Sequence, residues 1–193
     1  MRADVGDITV RTVPTDRPVR LTTTSHGLWG SARLNHSLTG GRLLVTVDRP
    51  GPAWAPGRAD LDLELPSGTA LDLSTHRGSI ILVTPDGTVR ATTGAGDIRL
   101  RGARCRMADL SSDDGDIGAG FALPPRDLQV STAHGDVEVT LPDDGTPYRV
   151  RAVAGRGRAR IDVPRFEGAG RLVQARSRSG NVQVLCKGSR AAR

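Results

Sequence analysis

At 193 residues, of which 37% are hydrophobic, the chain is long enough to bury a core and too apolar to be disordered. No apolar run approaches the roughly 18 residues of a membrane span, and the start Met1-Arg2-Ala3-Asp4 is unlike a signal peptide, so a soluble chain is expected. The formal charge of +6 is unevenly spread: residues 145–193 carry 12 basic and 2 acidic side chains, whereas residues 1–144 carry 15 basic and 19 acidic ones. Such asymmetry steers polyanions or serves solubility, and since Lys187 is the sole lysine the arginine count looks like coding bias.

Gly (24) and Pro (12) interrupt nearly every window, so no long 3.6-residue period survives and strands are expected throughout. Aromatics are scarce, which leaves Val, Leu, Ile and Ala to fill the core. Val19–Thr23, Leu43–Val47 and Asp60–Leu65 read as alternating strands, separated by Gly40-Gly41 and a Pro/Gly-rich loop from Arg49 to Arg58. Residues 1–66 are therefore expected to form a partly antiparallel end of the sheet system, acting as a cap.

From residue 67 a repeat takes over. Thr75-His76-Arg77-Gly78-Ser79-Ile80, Thr93-Gly94-Ala95-Gly96-Asp97-Ile98, Ser112-Asp113-Asp114-Gly115-Asp116-Ile117, Thr132-Ala133-His134-Gly135-Asp136-Val137 and Ser177-Arg178-Ser179-Gly180-Asn181-Val182 share one pattern. Val5-Gly6-Asp7-Ile8 carries its second half. Successive glycines are 18, 19 and 20 residues apart; the last gap, 45, fits two units with a degenerate copy at Gly155-Arg156-Gly157 ahead of Ile161 and Val163. Gly followed by Asp, Asn or Ser is turn chemistry, and the alternating apolar pair after it belongs on one face of a strand. A second strand leads into each turn, at Ala70–Ser74, Val89–Thr92, Asp127–Ser131 and Leu172–Ala175. The period fits a β-solenoid coil or successive hairpins, and the constant apolar phase favours the coil, with Ile98 and Ile117 stacked in one core. The expectation is an all-β, elongated, β-solenoid-like stack of two-strand repeats with an N-terminal antiparallel cap region: one domain over residues 1–186, then a basic tail over 187–193.

The recurring Ser/Thr-x-x-x-Gly-Asp-Ile/Val-x-Val/Leu unit, with Leu61-Asp62-Leu63-Glu64-Leu65-Pro66-Ser67-Gly68 before the first full copy, resembles the bacterial β-strand-repeat domains of unknown function often called "putative adhesins". The resemblance runs over nearly the whole chain. It implies an elongated β-repeat fold, no known catalytic residues, and often an N-terminal membrane anchor with the repeats outside the cytoplasm. This sequence begins almost at the first motif, which fits either a missing anchor or an unanchored member.

Asp97, Asp113, Asp114, Asp116 and Asp136 resemble a calcium-roll pattern, but the aspartate is one position early and a hard cation needs about six converging oxygens, so turn-forming aspartates are expected. His76 and His134 are placed along one edge of neighbouring coils, without the cysteines or spacing of a zinc site. The Ser/Thr pairs recur in every unit, whereas a catalytic serine occurs once beside a base; hydroxyl ladders on a strand edge are expected instead. Cys105 and Cys186 read as small core side chains, with a disulfide as the alternative. Arg149 with Arg151, and Arg156 with Arg158 and Arg160, are expected to share strand faces, joined by Arg176 and Arg178 from an adjacent repeat, as a candidate polyanion surface. The basic run lacks stacking aromatics, which disfavours nucleic acid. The expected function is a non-catalytic structural or interaction protein meeting an unknown protein or envelope component, without cofactor, metal or catalytic residue; the alternative is a regulatory polyanion binder using those arginines.

Overall fold

The computed structural model describes residues 2–27, 33–39, 42–48 and 57–187, with side chains over 6–24 and 60–187. Gly40-Gly41, the loop residues 49–56 and the tail residues 188–193 lie outside the described residues. Every regular element among those described is a strand, in two nine-stranded sheets.

The repeat builds the stack. In each coil one strand enters sheet A, turns at the repeat glycine and continues as a short strand of sheet B. In chain order these are β1 (Arg2–Val5) with β2 (Ile8–Val13), β7 (Leu71–Arg77) with β8 (Ile80–Val83), β9 (Val89–Ala95) with β10 (Ile98–Ala103) and β11 (Met107–Asp114) with β12 (Ile117–Phe121). They continue with β13 (Asp127–His134) and β14 (Val137–Leu141), β15 (Arg149–Arg156) and β16 (Ala159–Asp162), and β17 (Leu172–Ser179) and β18 (Val182–Cys186). Pairing between coils is parallel, which decides for coils over hairpins. Ile8, Ile80, Ile98, Ile117, Val137 and Val182 are matched strand to strand and fully buried. Leu73, Ala91, Leu110, Val130 and Ala175 answer them from sheet A. At about 4.8 Å per strand, nine strands make a stack about 40 Å long.

The coils do not stack in chain order. Sheet A runs β15-β17-β13-β11-β9-β7-β1-β5-β4 and sheet B runs β16-β18-β14-β12-β10-β8-β2-β6-β3. The first coil lies inside, between β7/β8 and the pair β5 (Arg42–Asp48) and β6 (Gly57–Pro66); β3 (Arg20–Gly27) and β4 (Arg33–Thr39) close that end. Among the described residues, antiparallel pairing is confined to β3 with β6 and β4 with β5. The expectation that residues 1–66 are all cap is therefore corrected: Val5-Gly6-Asp7-Ile8 is a full coil, because its motif satisfies the same register as the others. At the opposite end β17/β18 is inserted between β13/β14 and β15/β16, so the penultimate coil in sequence is the terminal coil in space.

Candidate functional site

The corner between the sheets explains the repeated polar residues. The glycines there hold φ values of 140–154°. A Cβ on Gly115 would run into the carbonyl of Gly96 in the next coil, so backbone proximity as well as φ demands glycine. The hydroxyl three residues earlier in each motif is buried, and it donates to the glycine carbonyl of the neighbouring coil: Thr93 to Gly78 at 2.9 Å, Ser112 to Gly96 at 3.0 Å, Thr132 to Gly115 at 2.9 Å, Ser177 to Gly135 at 2.8 Å. These hydroxyls were expected on a strand edge; they lie in the interior because the parity of the leading strand turns them inward. The residue after glycine forms a second ladder. Its carboxylate accepts the main-chain N–H of its counterpart one coil on: Ser79 N–H to Asp7 at 2.7 Å, Asp116 to Asp97 at 3.0 Å, Asp136 to Asp116 at 2.7 Å, Asn181 to Asp136 at 2.7 Å.

Those ladders give three of the candidate calcium ligands a structural use. Asp97, Asp116 and Asp136 are backbone acceptors, while Asp113 faces outward and Asp114 stands 3.8 Å from His134 Nδ1. No group of three or more His, Cys, Asp or Glu is placed to hold a metal among the described residues. The two histidines do not line neighbouring coils. His76 is on β7 and His134 on β13, with β9 and β11 between, and their offsets from glycine put them on different rows. Cys105 and Cys186 are free and buried, and burial pushes the Cys105 thiol up to about 11.

The seven candidate arginines separate. Arg149 and Arg151 on β15, and Arg176 and Arg178 on β17, lie on the outward side of sheet A, opposite the parity that sends Val150, Ala152, Ala175 and Ser177 inward. Arg156, Arg158 and Arg160 do not share a face, which corrects the reading of one continuous strand. Gly157, at φ 141°, breaks the run: Arg156 ends β15, Arg158 sits in the turn with its N–H on Asn181, and Arg160 lies in sheet B, 3.6 Å from Asp162. All three border the coil that is terminal among the described residues. Charged edges and short strands such as the four-residue β16 oppose edge-to-edge aggregation, which gives this run a structural role.

Below that edge the terminal coil is clamped. Tyr148 is buried and donates its hydroxyl to the Pro142 carbonyl at 3.2 Å. Burial and then the charge of Asp144 push its phenol up to about 12. Arg171 lies 5.5 Å over the Tyr148 ring and bonds Asp144 at 2.8 Å, which holds the Asp144 carboxyl below its ordinary range.

The outward face of sheet A is concave where β11, β13 and β17 adjoin. A hollow of about 260 Å³ is lined by Ser111, Asp113, Ser131, Ala133, Arg176 and Arg178, with the inward-bonded Ser112 and Thr132 beneath. Ser111 and Ser131 are the outward members of the repeated hydroxyl pairs, but Asp113, Ala133, Arg176 and Arg178 hold outward positions that vary among the copies, which the motif could not announce.

A family model described as Toastrack DUF4097 matches residues 59–185, more than half of the chain. The chain belongs to this family. The Toastrack match spans coils from β6 to β18, and its name agrees with a stack of parallel rungs. None of the curated proteins compared with the chain matches it. Among solved structures, the Toastrack stack is similar to a "putative cell adhesion protein" from Clostridium sporogenes, with a TM-score of 0.50 and 10% identity over 96% of this chain and 91% of that one. At that identity the likeness concerns the fold. No helix among the described residues is long and apolar enough to cross a membrane.

Proposed function

We propose that the protein is a non-catalytic structural and interaction module, adhesin-like in use, whose outward sheet A face meets another envelope or cellular component. The observation that supports this is the division of the polar residues. Two sets that recur in most units, the inward hydroxyls and the post-glycine carboxylates, are bonded to the backbone of the next coil. The non-repeating ones, Asp113, Arg176 and Arg178, gather in an exposed hollow. Repetition builds the scaffold, and departure from repetition marks the surface that meets a partner. The Clostridium sporogenes neighbour, described as a "putative cell adhesion protein", is in keeping with such a use.

Site-specific photo-cross-linking in cells producing the protein tests this reading. A cross-linking residue at Ser111 or Ser131 is expected to capture a discrete partner, and one at Glu138 or Gln183 on the outward side of sheet B is not. Equal capture from both faces, or none from sheet A, contradicts it. The polyanion alternative retains Arg149, Arg151, Arg176 and Arg178 on one face. It predicts retention on heparin that falls steeply with salt and is weakened by Arg149→Ser with Arg151→Ser; a profile unchanged by that pair removes it.

A further inference from the structure

We propose that the sheet A hollow is a binding site for a phosphoryl group carried on a hydroxylated ligand, such as a sugar phosphate; this rests on the reading of sheet A as the interaction face. Arg176 and Arg178 alternate on β17, so their side chains leave the same side of the sheet about 7 Å apart, a spacing at which two guanidinium groups converge on one oxyanion. Neither has a side-chain ion pair or hydrogen bond with another residue among those described. Nearby cations of one sign repel, and no carboxylate among the described residues is in ion-pair contact with either arginine.

The floor and far wall refine the ligand. Ser131 donates to Ser111 at 3.4 Å, which leaves the Ser111 hydroxyl hydrogen available to an oxygen in the hollow. Ser112 and Thr132 are occupied with the Gly96 and Gly115 carbonyls and supply no donor. Ala133, a small residue level with Arg178 and Asp113, leaves the space between them open. Asp113 forms the opposite wall, two strands from Arg178, or about 10 Å. A carboxylate there repels a second phosphate and accepts hydrogen bonds from neutral hydroxyls. An extended polyanion would bring several charges against it, whereas a single phosphoryl group flanked by hydroxyls matches both walls.

Nuclear magnetic resonance titration of the amide-labelled protein tests this with inorganic phosphate, glucose 6-phosphate and glucose. Saturable shifts at Ser131, Ala133, Arg176 and Arg178 are expected with glucose 6-phosphate, weaker ones with phosphate, and none with glucose. Arg178→Ser should weaken binding about tenfold, the worth of one charge-assisted hydrogen bond, while Arg20→Ser on β3, at the opposite end of the stack, leaves it unchanged. Asp113→Asn should tighten inorganic phosphate and narrow the preference for the sugar phosphate. The proposal fails if no saturable shift appears, if Arg20→Ser weakens binding as much as Arg178→Ser, or if phosphate alone binds as tightly as glucose 6-phosphate. Cross-linking from Ser111 or Ser131 in cells does not depend on any of these outcomes, so the interaction face is judged separately.

Discussion

A buried hydroxyl in this protein is worth what it satisfies. Thr93 is 1% exposed and donates to a carbonyl at a corner where the coils are closest. Thr93→Val keeps the shape but removes the donor to Gly78, so a loss of about 1–3 kcal/mol is expected in denaturant unfolding. Thr92→Val, one residue earlier on the outward face, should be near neutral. The Asp144–Arg171 contact acts at a smaller scale because both groups reach solvent. The folded Asp144 pKa is lowered, so its stabilisation is present above the ordinary carboxylate value of 3.8 and is lost as pH falls through the folded value. Asp144→Asn should therefore cost less than about 1 kcal/mol at pH 7, and the difference from the parent should vanish in acid. A difference that grew on acidification would contradict the sign. Much at this scale was legible in advance. Glycine before a short polar residue announced the turn, and Ile98 beside Ile117 in the core follows from alternation alone. The inward parity of the hydroxyls follows from the alternation of Leu71, Leu73 and Thr75, but their acceptor is a glycine carbonyl of another coil, which the sequence of a single coil does not reveal.

Among elements, the corner decides more than the strands do. Gly115 and Gly118 are three residues apart, in the turn and on β12 respectively. A Cβ at Gly115 would strike the Gly96 backbone at φ 154°, whereas one at Gly118 would meet nothing within 4 Å. Gly115→Ala should unfold the domain or lower its melting temperature by many degrees, while Gly118→Ala should be neutral or slightly stabilising. Comparable melting curves for the two variants would remove backbone proximity as the reason for the repeat glycine. The same turn chemistry cost the arginine reading its single face. Residues 156–160 look like one alternating strand only if Gly157 is read as a strand residue; read as the corner of a degenerate copy, it parts Arg156 from Arg160. The other four arginines kept their alternation because no glycine turn lies between Arg149 and Arg151 or between Arg176 and Arg178.

Over the whole molecule, the order of coils determines both stability and site. Most copies offer the same register of apolar residues, hydroxyls and polar post-glycine residues, so the motif alone does not order them; the degenerate copy, with Ala154 and Arg158 at the hydroxyl and post-glycine positions, has no ladder group for a further coil and stands at the end. The 45-residue interval between Gly135 and Gly180 is the trace of the interleaving: the degenerate coil between them passes to the outside and β17/β18 fills the vacated place. This brings Arg176 and Arg178 beside Ser131 and Ala133. In chain-order stacking Val153 and Gly155 would lie there instead, and the hollow would lack its cations. A disulfide test reads the order directly, in a chain whose two native cysteines are replaced by alanine. Glu138 on β14 is paired with Gln183 on β18, and Arg160 on β16 lies one strand further out. Glu138→Cys with Gln183→Cys should oxidise readily to an intramolecular disulfide, and Glu138→Cys with Arg160→Cys should not. A ready bond between positions 138 and 160, with none between 138 and 183, would restore chain-order stacking and take the proposed site with it.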